Sequence, residues 1–300
     1  MEGPEVNMRG PAVDRVVCML ALGVFSLLIL SCKVTITKTT EAEHHLNEAR
    51  QLMLEGKWQE ALPELDAAIA SDPALTEAYA NRGTVYGQLG HFDQALGDLG
   101  MAIAMSPEEG GFYVNRGQVY SWMGEPEKAT ADYETAVAID PEDHVAYMNR
   151  GAIQADFYQR FEDAVADYDR AIELDPSFAQ AYHNRGKALF ALERFEEAIT
   201  DFDQAIDIGM EPLLIVSAYN ERGRTHLALD HYEQALSDFD KAIDADPSQV
   251  YVYANRGLVY SKLGEDDKAI ADLEYVMTNS ADPGLKQQVE PLLQELASQQ

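Results

Sequence analysis

At 300 residues, with 46% hydrophobic and 25% charged content, the chain is long and apolar enough to fold, which excludes disorder throughout. Its 52 Asp and Glu against 22 Lys and Arg leave a net charge of -30, a field that repels polyphosphates and excludes nucleic-acid binding. Two cysteines, Cys18 and Cys32, are too few for a disulfide scaffold.

Arg9 and Arg15 precede an uncharged run from Val16 to Leu30, the charged-then-apolar order of a secretory leader. As a helix this run would reach roughly 22 Å, short of a hydrocarbon core of about 30 Å. A cleaved leader over 1–31 is therefore the first expectation, and an uncleaved N-terminal membrane anchor the alternative. The residues Ile29-Leu30-Ser31-Cys32 resemble the lipobox of bacterial lipoproteins, which implies lipidation of Cys32 and its exposure as the mature N-terminus. Residues 32–40 then read as a lipidated tether. Lys33 stands where an Asp commonly signals inner-membrane retention, so the resemblance points to the cell envelope and, in a Gram-negative source, the outer membrane.

From Glu41 to Pro283 one unit recurs. Gly83, Gly117, Gly151, Gly186, Gly223 and Gly257 are spaced by 34, 34, 35, 37 and 34, and the alanines from Ala61 to Ala269 keep the same rhythm. Comparing the two series places one extra residue between Gly151 and Ala164 and three between Ala198 and Gly223, predicted as loop insertions. A tyrosine lies four residues before each glycine, and each unit closes on a proline: Pro73, Pro107, Pro141, Pro176, Pro212, Pro247 and Pro283. Paired helices approach closely at Gly83 and Ala95, with Tyr79, Tyr86, Leu99 and Ile103 filling the space around them. After the last unit Leu285, Val289, Leu293 and Leu296 recur at helical spacing, predicting a capping helix over 284–300 that contains Pro291.

The pattern in AYANRGTVYGQLGHFDQALGDLGMAIAMSP resembles the tetratricopeptide repeat. The resemblance implies an all-α, right-handed superhelical solenoid of seven antiparallel helix pairs, at about 41–75, 76–109, 110–143, 144–178, 179–215, 216–249 and 250–283. It also implies a protein or peptide partner, no cofactor and no catalysis.

Two residues before the glycine, or before Ala49 in the first unit, stand Asn47, Asn81, Asn115, Asn149, Asn184 and Asn255, interrupted by Glu221. Asparagine forms helix poorly, so its recurrence at one mid-helix position needs a reason. In tetratricopeptide superhelices this position generally faces the concave groove, and in the O-linked N-acetylglucosamine transferase superhelix a similar row holds an extended peptide. An amide donates to and accepts from one peptide unit, binding backbone without demanding a sequence. Hydrogen bonding to a neighbouring repeat is the competing reading. Glu77, Gly111, Val145, Gln180, Ser217 and Tyr251 flank the row without paired lysines, which disfavours clamping of a C-terminal carboxylate. Trp122, Phe190, Met148 and Tyr251 are candidates for apolar contacts in the groove.

Next to each glycine is an arginine with an aspartate one helix further on: Arg82 and Asp98, Arg116 and Asp132, Arg150 and Asp167, Arg185 and Asp201, Arg222 and Asp238, Arg256 and Asp272. The first unit has Glu48 and Glu64 instead. These pairs are expected to be structural, fixing the register of the stack. The Asp-Xaa-Asp steps at Asp167, Asp201 and Asp238 read as solvated faces, since side chains two apart on a helix diverge. No nucleophile, phosphate loop or metal motif stands out, and His44 and His45, adjacent on a helix, point to different sides. No metal site is expected. A membrane-tethered, non-catalytic adaptor for a partner with a basic surface is the favoured function. A ligand-free oligomerising spacer and a glycan-processing enzyme using Glu221 are the alternatives.

Overall fold

The computed structural model describes residues 40–298, and the predicted leader, Cys32 and most of the tether fall outside them. Among the described residues the regular structure is entirely helical and divides into two compact units, 40–106 and 107–298. The first unit contains α1 over 40–54, α2 (Trp58–Ser71), α3 (Thr76–Gln88) and α4 (Phe92–Met105). The second contains α5 (Gly110–Trp122), α6 (Pro126–Ile139), α7 (His144–Asp156), α8 (Phe161–Leu174), α9 (Ala179–Ala191), α10 (Phe195–Ile208), α11 (Pro212–Ala228), α12 (Tyr232–Ala245), α13 (Val250–Lys262), α14 (Asp266–Asn279) and α15 (Pro283–Ser298). No described helix is long and apolar enough to cross a membrane.

Short local signals set each helix end. The first helix of a pair stops at a residue in the left-handed region, Gly90 (φ 76°) after α3, where the missing Cβ removes the steric cost. The next amide then reaches back to cap the helix, His91 N to Tyr86 O at 2.8 Å. Gln159, Glu193 and Asp230 take the same conformation in later pairs without that relief. Between pairs, Asp72, Asp140, Asp175 and Asp246 each precede a proline. Their carboxylates accept the amide two residues on, at 3.0 Å for Ala74 and 2.9 Å for Glu142, Ser177 and Ser248. Proline cannot prolong the preceding helix, and the aspartate before it is extended, as at Asp175 (φ -133°, ψ 95°).

Within each pair the glycine of the first helix faces one large side chain of the second: Leu99 opposite Gly83, Tyr133 opposite Gly117, Tyr168 opposite Gly151, Phe202 opposite Gly186, Phe239 opposite Gly223 and Leu273 opposite Gly257. These side chains are essentially fully buried. A Cβ at Gly223 would sit 2.8 Å from the Phe239 ring, whereas at Gly97 and Gly100 on the open side of α4 it would meet nothing within 4 Å. Gly223→Ala is therefore expected to destabilise by about 1–3 kcal/mol through overpacking, despite alanine's better helix propensity. Gly97→Ala and Gly100→Ala should each stabilise by roughly 1 kcal/mol. Thermal unfolding of the three variants gives the signs.

Two expectations need correction. The three extra residues before Gly223 do not form a loop. They lengthen α11 to 17 residues where α3, α5, α7, α9 and α13 have 13, and Pro212, read as a closing residue, begins that helix. Proline at the first helical position loses no hydrogen bond, which is why it serves as a start. The single extra residue before Ala164 does lie in a turn, the one joining α7 and α8. Likewise, Pro283 opens α15, which runs through Pro291 and buries Val289 and Leu296 against α14 in a cluster with Leu273 and Val276.

In the second unit the first helices of successive pairs touch one another (α5 with α7, α7 with α9, α9 with α11, α11 with α13), while no two second helices do. A stack joined on one side only curves towards that side. The first helices of 107–298 therefore line its inner face.

Candidate functional site

Six arginines fork onto the second helix of their own pair. Arg82 donates Nε and Nη2 to Asp98 at 2.6 and 2.8 Å, and Arg222 donates the same pair to Asp238 at 2.8 and 2.6 Å. Arg116 holds Asp132, Arg150 holds Asp167, Arg185 holds Asp201 and Arg256 holds Asp272 in the same way. Asp132, Asp167, Asp201, Asp238 and Asp272 are buried and Asp98 is partly so, and the tyrosine three residues before each arginine covers its guanidinium, 5.4 Å away for Tyr253 and Arg256.

The second aspartate of each Asp-Xaa-Asp step has its own partner, contrary to the reading of a merely solvated face. Arg185 Nη1 reaches Asp169 on α8 at 2.6 Å, Arg222 reaches Asp203 on α10 at 2.5 Å and Arg256 reaches Asp240 on α12 at 2.7 Å; in the first unit Arg82 reaches Asp66 on α2 at 2.6 Å. The side chains do diverge, and the divergence lets one helix serve two arginines in successive repeats. Each guanidinium is thereby spent inside the stack, and bonds to carboxylates hold Arg82, Arg185 and Arg256 above their ordinary pKa.

The asparagines sit on the other side of the first helices. Positions two apart on a helix are separated by about 200°, so a residue two before the glycine points away from the second helix of its pair. In 107–298 that side is the inner face. Asn115 and Asn149 are half-buried there, and their side chains make no hydrogen bond among the described residues. Asn255 donates to Asn220 Oδ1 at 2.8 Å, and Asn184 reaches Met148 Sδ at 3.6 Å, so both are engaged with the preceding repeat. In 40–106, Asn47 is exposed with a long contact from Arg50 at 3.5 Å, and the buried Nδ2 of Asn81 has no acceptor. The row thus divides between amides tied to a neighbour and amides with unused hydrogen-bonding capacity.

Beside these amides the inner face opens into a cavity of about 100 Å³ between α7, α8 and α9, lined by Ala152, Asp156, Phe161, Tyr168, Asn184 and Lys187. Lys187 is exposed and has no ion-pair partner among the described residues, unlike the arginines of the stack. Of the aromatic and sulfur candidates, Trp122 (41% exposed) and Tyr251 (36%) are available, Phe190 lies under the Arg224 guanidinium at 5.0 Å, and Met148 is buried and offers no open surface. Met148 directly precedes Asn149, and that step of about 100° turns it into the packing between helices. Glu221, the odd residue in the row, accepts from Arg224 at 2.7 Å and from Asn220 at 3.1 Å. Those bonds occupy both carboxylate oxygens in an ion-paired setting, which gives no support to a role in acid catalysis.

One further cluster lies at the start of the first unit. His45 Nδ1 is 2.6 Å from Glu64 Oε2, and donor atoms of His45, Glu48 and Glu64 all lie within 4.8 Å of one another. From the sequence, His44 and His45 point to different sides of the helix and no metal site is expected. The donors that converge are instead Glu48, one turn on, and Glu64 on α2. The signal was the histidine–glutamate spacing of three together with Glu64 in the aspartate position of the repeat.

Four family models described as tetratricopeptide repeats match residues 112–143, 159–193, 177–248 and 220–284. This is a tetratricopeptide-repeat protein. No curated protein matches the sequence. Among solved structures, the chain is similar to the APC/C hetero-tetramer Cut9–Hcn1 at 16% identity and a TM-score of 0.72, with 83% of this chain and 48% of that one covered, so it spans about half that chain's length. It is also similar to a tetratricopeptide-repeat protein from Parabacteroides merdae (21% identity, TM-score 0.58, covering 86% and 99%). A third likeness is to PilF of Pseudomonas aeruginosa (14% identity, TM-score 0.63, covering 77% and 99%). At these identities the tetratricopeptide likeness is one of fold.

Proposed function

We propose that this protein is a membrane-tethered, non-catalytic scaffold that holds an extended segment of a partner protein along the inner face of 107–298. The observation that carries the reading is the pair of amides, Asn115 and Asn149, whose side chains have no hydrogen-bond partner among the described residues, on the inner face that also carries the cavity lined by Asn184 and Lys187. Asparagine at those positions does nothing for the fold that alanine would not do better, whereas two amides on successive repeats match the donors and acceptors of an extended backbone. Trp122, open at the end of α5, adds an apolar contact at one edge.

Two solved structures of similar fold are in keeping with this role. YrrB, at 21% identity and a TM-score of 0.53, is described as having an unusual peptide-binding site, and PilW, at 20% and 0.60, as a type IV pilus biogenesis factor. Tethering rests on the lipobox-like residues before Cys32, and with it the placement at the cell envelope. The acidic first turns of α8, α10 and α14 (Glu162, Asp163, Glu196, Glu197, Asp266 and Asp267) favour a partner with a basic surface, chiefly by speeding encounter.

Pull-down from envelope extract with the full-length protein, beside the Asn115→Ala/Asn149→Ala variant, tests the proposal. The variant is expected to keep its helical circular dichroism and lose its principal partner by tenfold or more. Retention of the same partners by the folded variant would refute the role of the amides.

A further inference from the structure

Six of the seven repeats place an arginine on the first helix and an aspartate on the second, and the structure joins each pair through a forked ion pair. In the first repeat the corresponding residues are Glu48 and Glu64. Where every other pair has a cation facing an anion, this one brings two carboxylates together, an arrangement that like charges oppose. His45 shares the face of Glu48, being three residues earlier on α1, and its Nδ1 lies 2.6 Å from Glu64 Oε2. Donor atoms of all three fall within 4.8 Å of one another.

We propose that His45, Glu48 and Glu64 bind a zinc ion that takes the place of the missing guanidinium and ties α1 to α2. The donor set supports zinc over magnesium or calcium: those ions prefer oxygen ligands alone, whereas one imidazole and two carboxylates suit zinc. Small side-chain rotations bring the donors to the roughly 2.0–2.2 Å that zinc requires. His45 and Glu64 are 27% and 28% exposed and Glu48 51%, so the ion can enter from solvent and keep a water on its remaining position. His44, 3.4 Å from Glu48 Oε1, is placed to orient that ligand from outside. Zinc binding here adds a site to the scaffold and does not depend on the peptide reading of the inner face.

Titration calorimetry of the chelator-treated full-length protein with zinc chloride tests the proposal, with thermal unfolding measured in parallel. One saturable site per chain is expected, with a rise in Tm at equimolar zinc that magnesium does not reproduce. His45→Ala and Glu64→Gln should each weaken that site by at least tenfold. Glu48→Arg restores the charge pattern of the other repeats, so it should remain folded by circular dichroism, lose the site and no longer gain Tm from zinc. The proposal is overturned if the wild type shows only weak, non-saturating uptake, or if Glu48→Arg and Glu64→Gln titrate like the wild type.

Discussion

Arg222→Ala is expected to destabilise the protein by about 3 kcal/mol, the low end of the cost of breaking a buried ion pair. Asp238 is only 4% exposed in its side chain and takes two bonds from Arg222. Burial pulls the guanidinium pKa down, but the bonds to Asp238 and Asp203 hold it above its ordinary value. Removing the arginine leaves the Asp238 carboxylate inside the stack with Lys241, 3.8 Å away, as the remaining cation; His226 lies 4.0 Å off, and burial lowers its pKa and favours the neutral ring. Asp203, 48% exposed, simply returns to water. The double variant Arg222→Ala/Asp238→Ala should cost clearly less than the two singles summed, because the stranded charge leaves with its partner. Arg194→Ala, which removes the exposed pair with Glu197, should leave Tm unchanged. Equal losses from Arg222→Ala and Arg194→Ala would show that the forks contribute no more than surface pairs do.

Acidification is expected to weaken the second unit through His183. His183, on α9, is 5% exposed, with its ring 5.7 Å from that of Phe202 on α10, Nε2 3.4 Å from Ser217 Oγ on α11 and Nδ1 buried without a partner among the described residues. Burial, reinforced by the charge of Lys187, pushes its pKa down to about 4 from the ordinary 6.5. Between those values the unfolded chain binds a proton that the folded chain refuses, so stability falls as pH drops from 6.5 to 4 and this contribution levels off below 4. Across the whole window the loss is about 3 kcal/mol. Carboxylates add their own dependence, so the quantity to measure is the difference in Tm between the wild type and His183→Phe as a function of pH. That difference should shift in favour of the variant as pH falls from 7 to 4. A constant difference would mean that the imidazole titrates normally in the folded state.

Most of the fold was legible because the repeat exposes its own packing code. The glycine of one helix and the bulky residue that covers it, Gly186 and Phe202 for example, recur at fixed separation, and such recurrence has few solutions other than stacked helix pairs. The forks between Arg185 and Asp201 or Arg256 and Asp272 were legible for the same reason. The additional bond that Arg82, Arg185, Arg222 and Arg256 make to the preceding repeat, as from Arg185 to Asp169, was missed because the step was judged on one helix, where its two carboxylates diverge. Their convergence on separate arginines appears only when consecutive repeats are stacked.

Pro212 was misread because proline both follows helices and starts them, and only the geometry of α11 shows which role it takes. The asparagine row was visible as a pattern, but not its division. Whether an amide is tied, as Asn255 is to Asn220, or unpaired, as Asn149 is, depends on the residue that the preceding repeat presents. The absence of the fork in the first repeat was likewise plain from Glu48 and Glu64, but only the position of His45 against Glu64 gives that absence a chemical reading.

The central claim is that the inner face of 107–298 holds a partner, and site-specific photo-crosslinking in the native envelope tests it most directly. A benzophenone amino acid is placed at Ala152, in the lining of the inner cavity, at Gln180, an exposed inner position on α9, and at Ala138, exposed on α6 among the second helices. One crosslinked partner common to Ala152 and Gln180, absent at Ala138 and lost on Asn115→Ala/Asn149→Ala, is the predicted result. Crosslinking to a partner from Ala138 alone would contradict the account and place binding on the second helices.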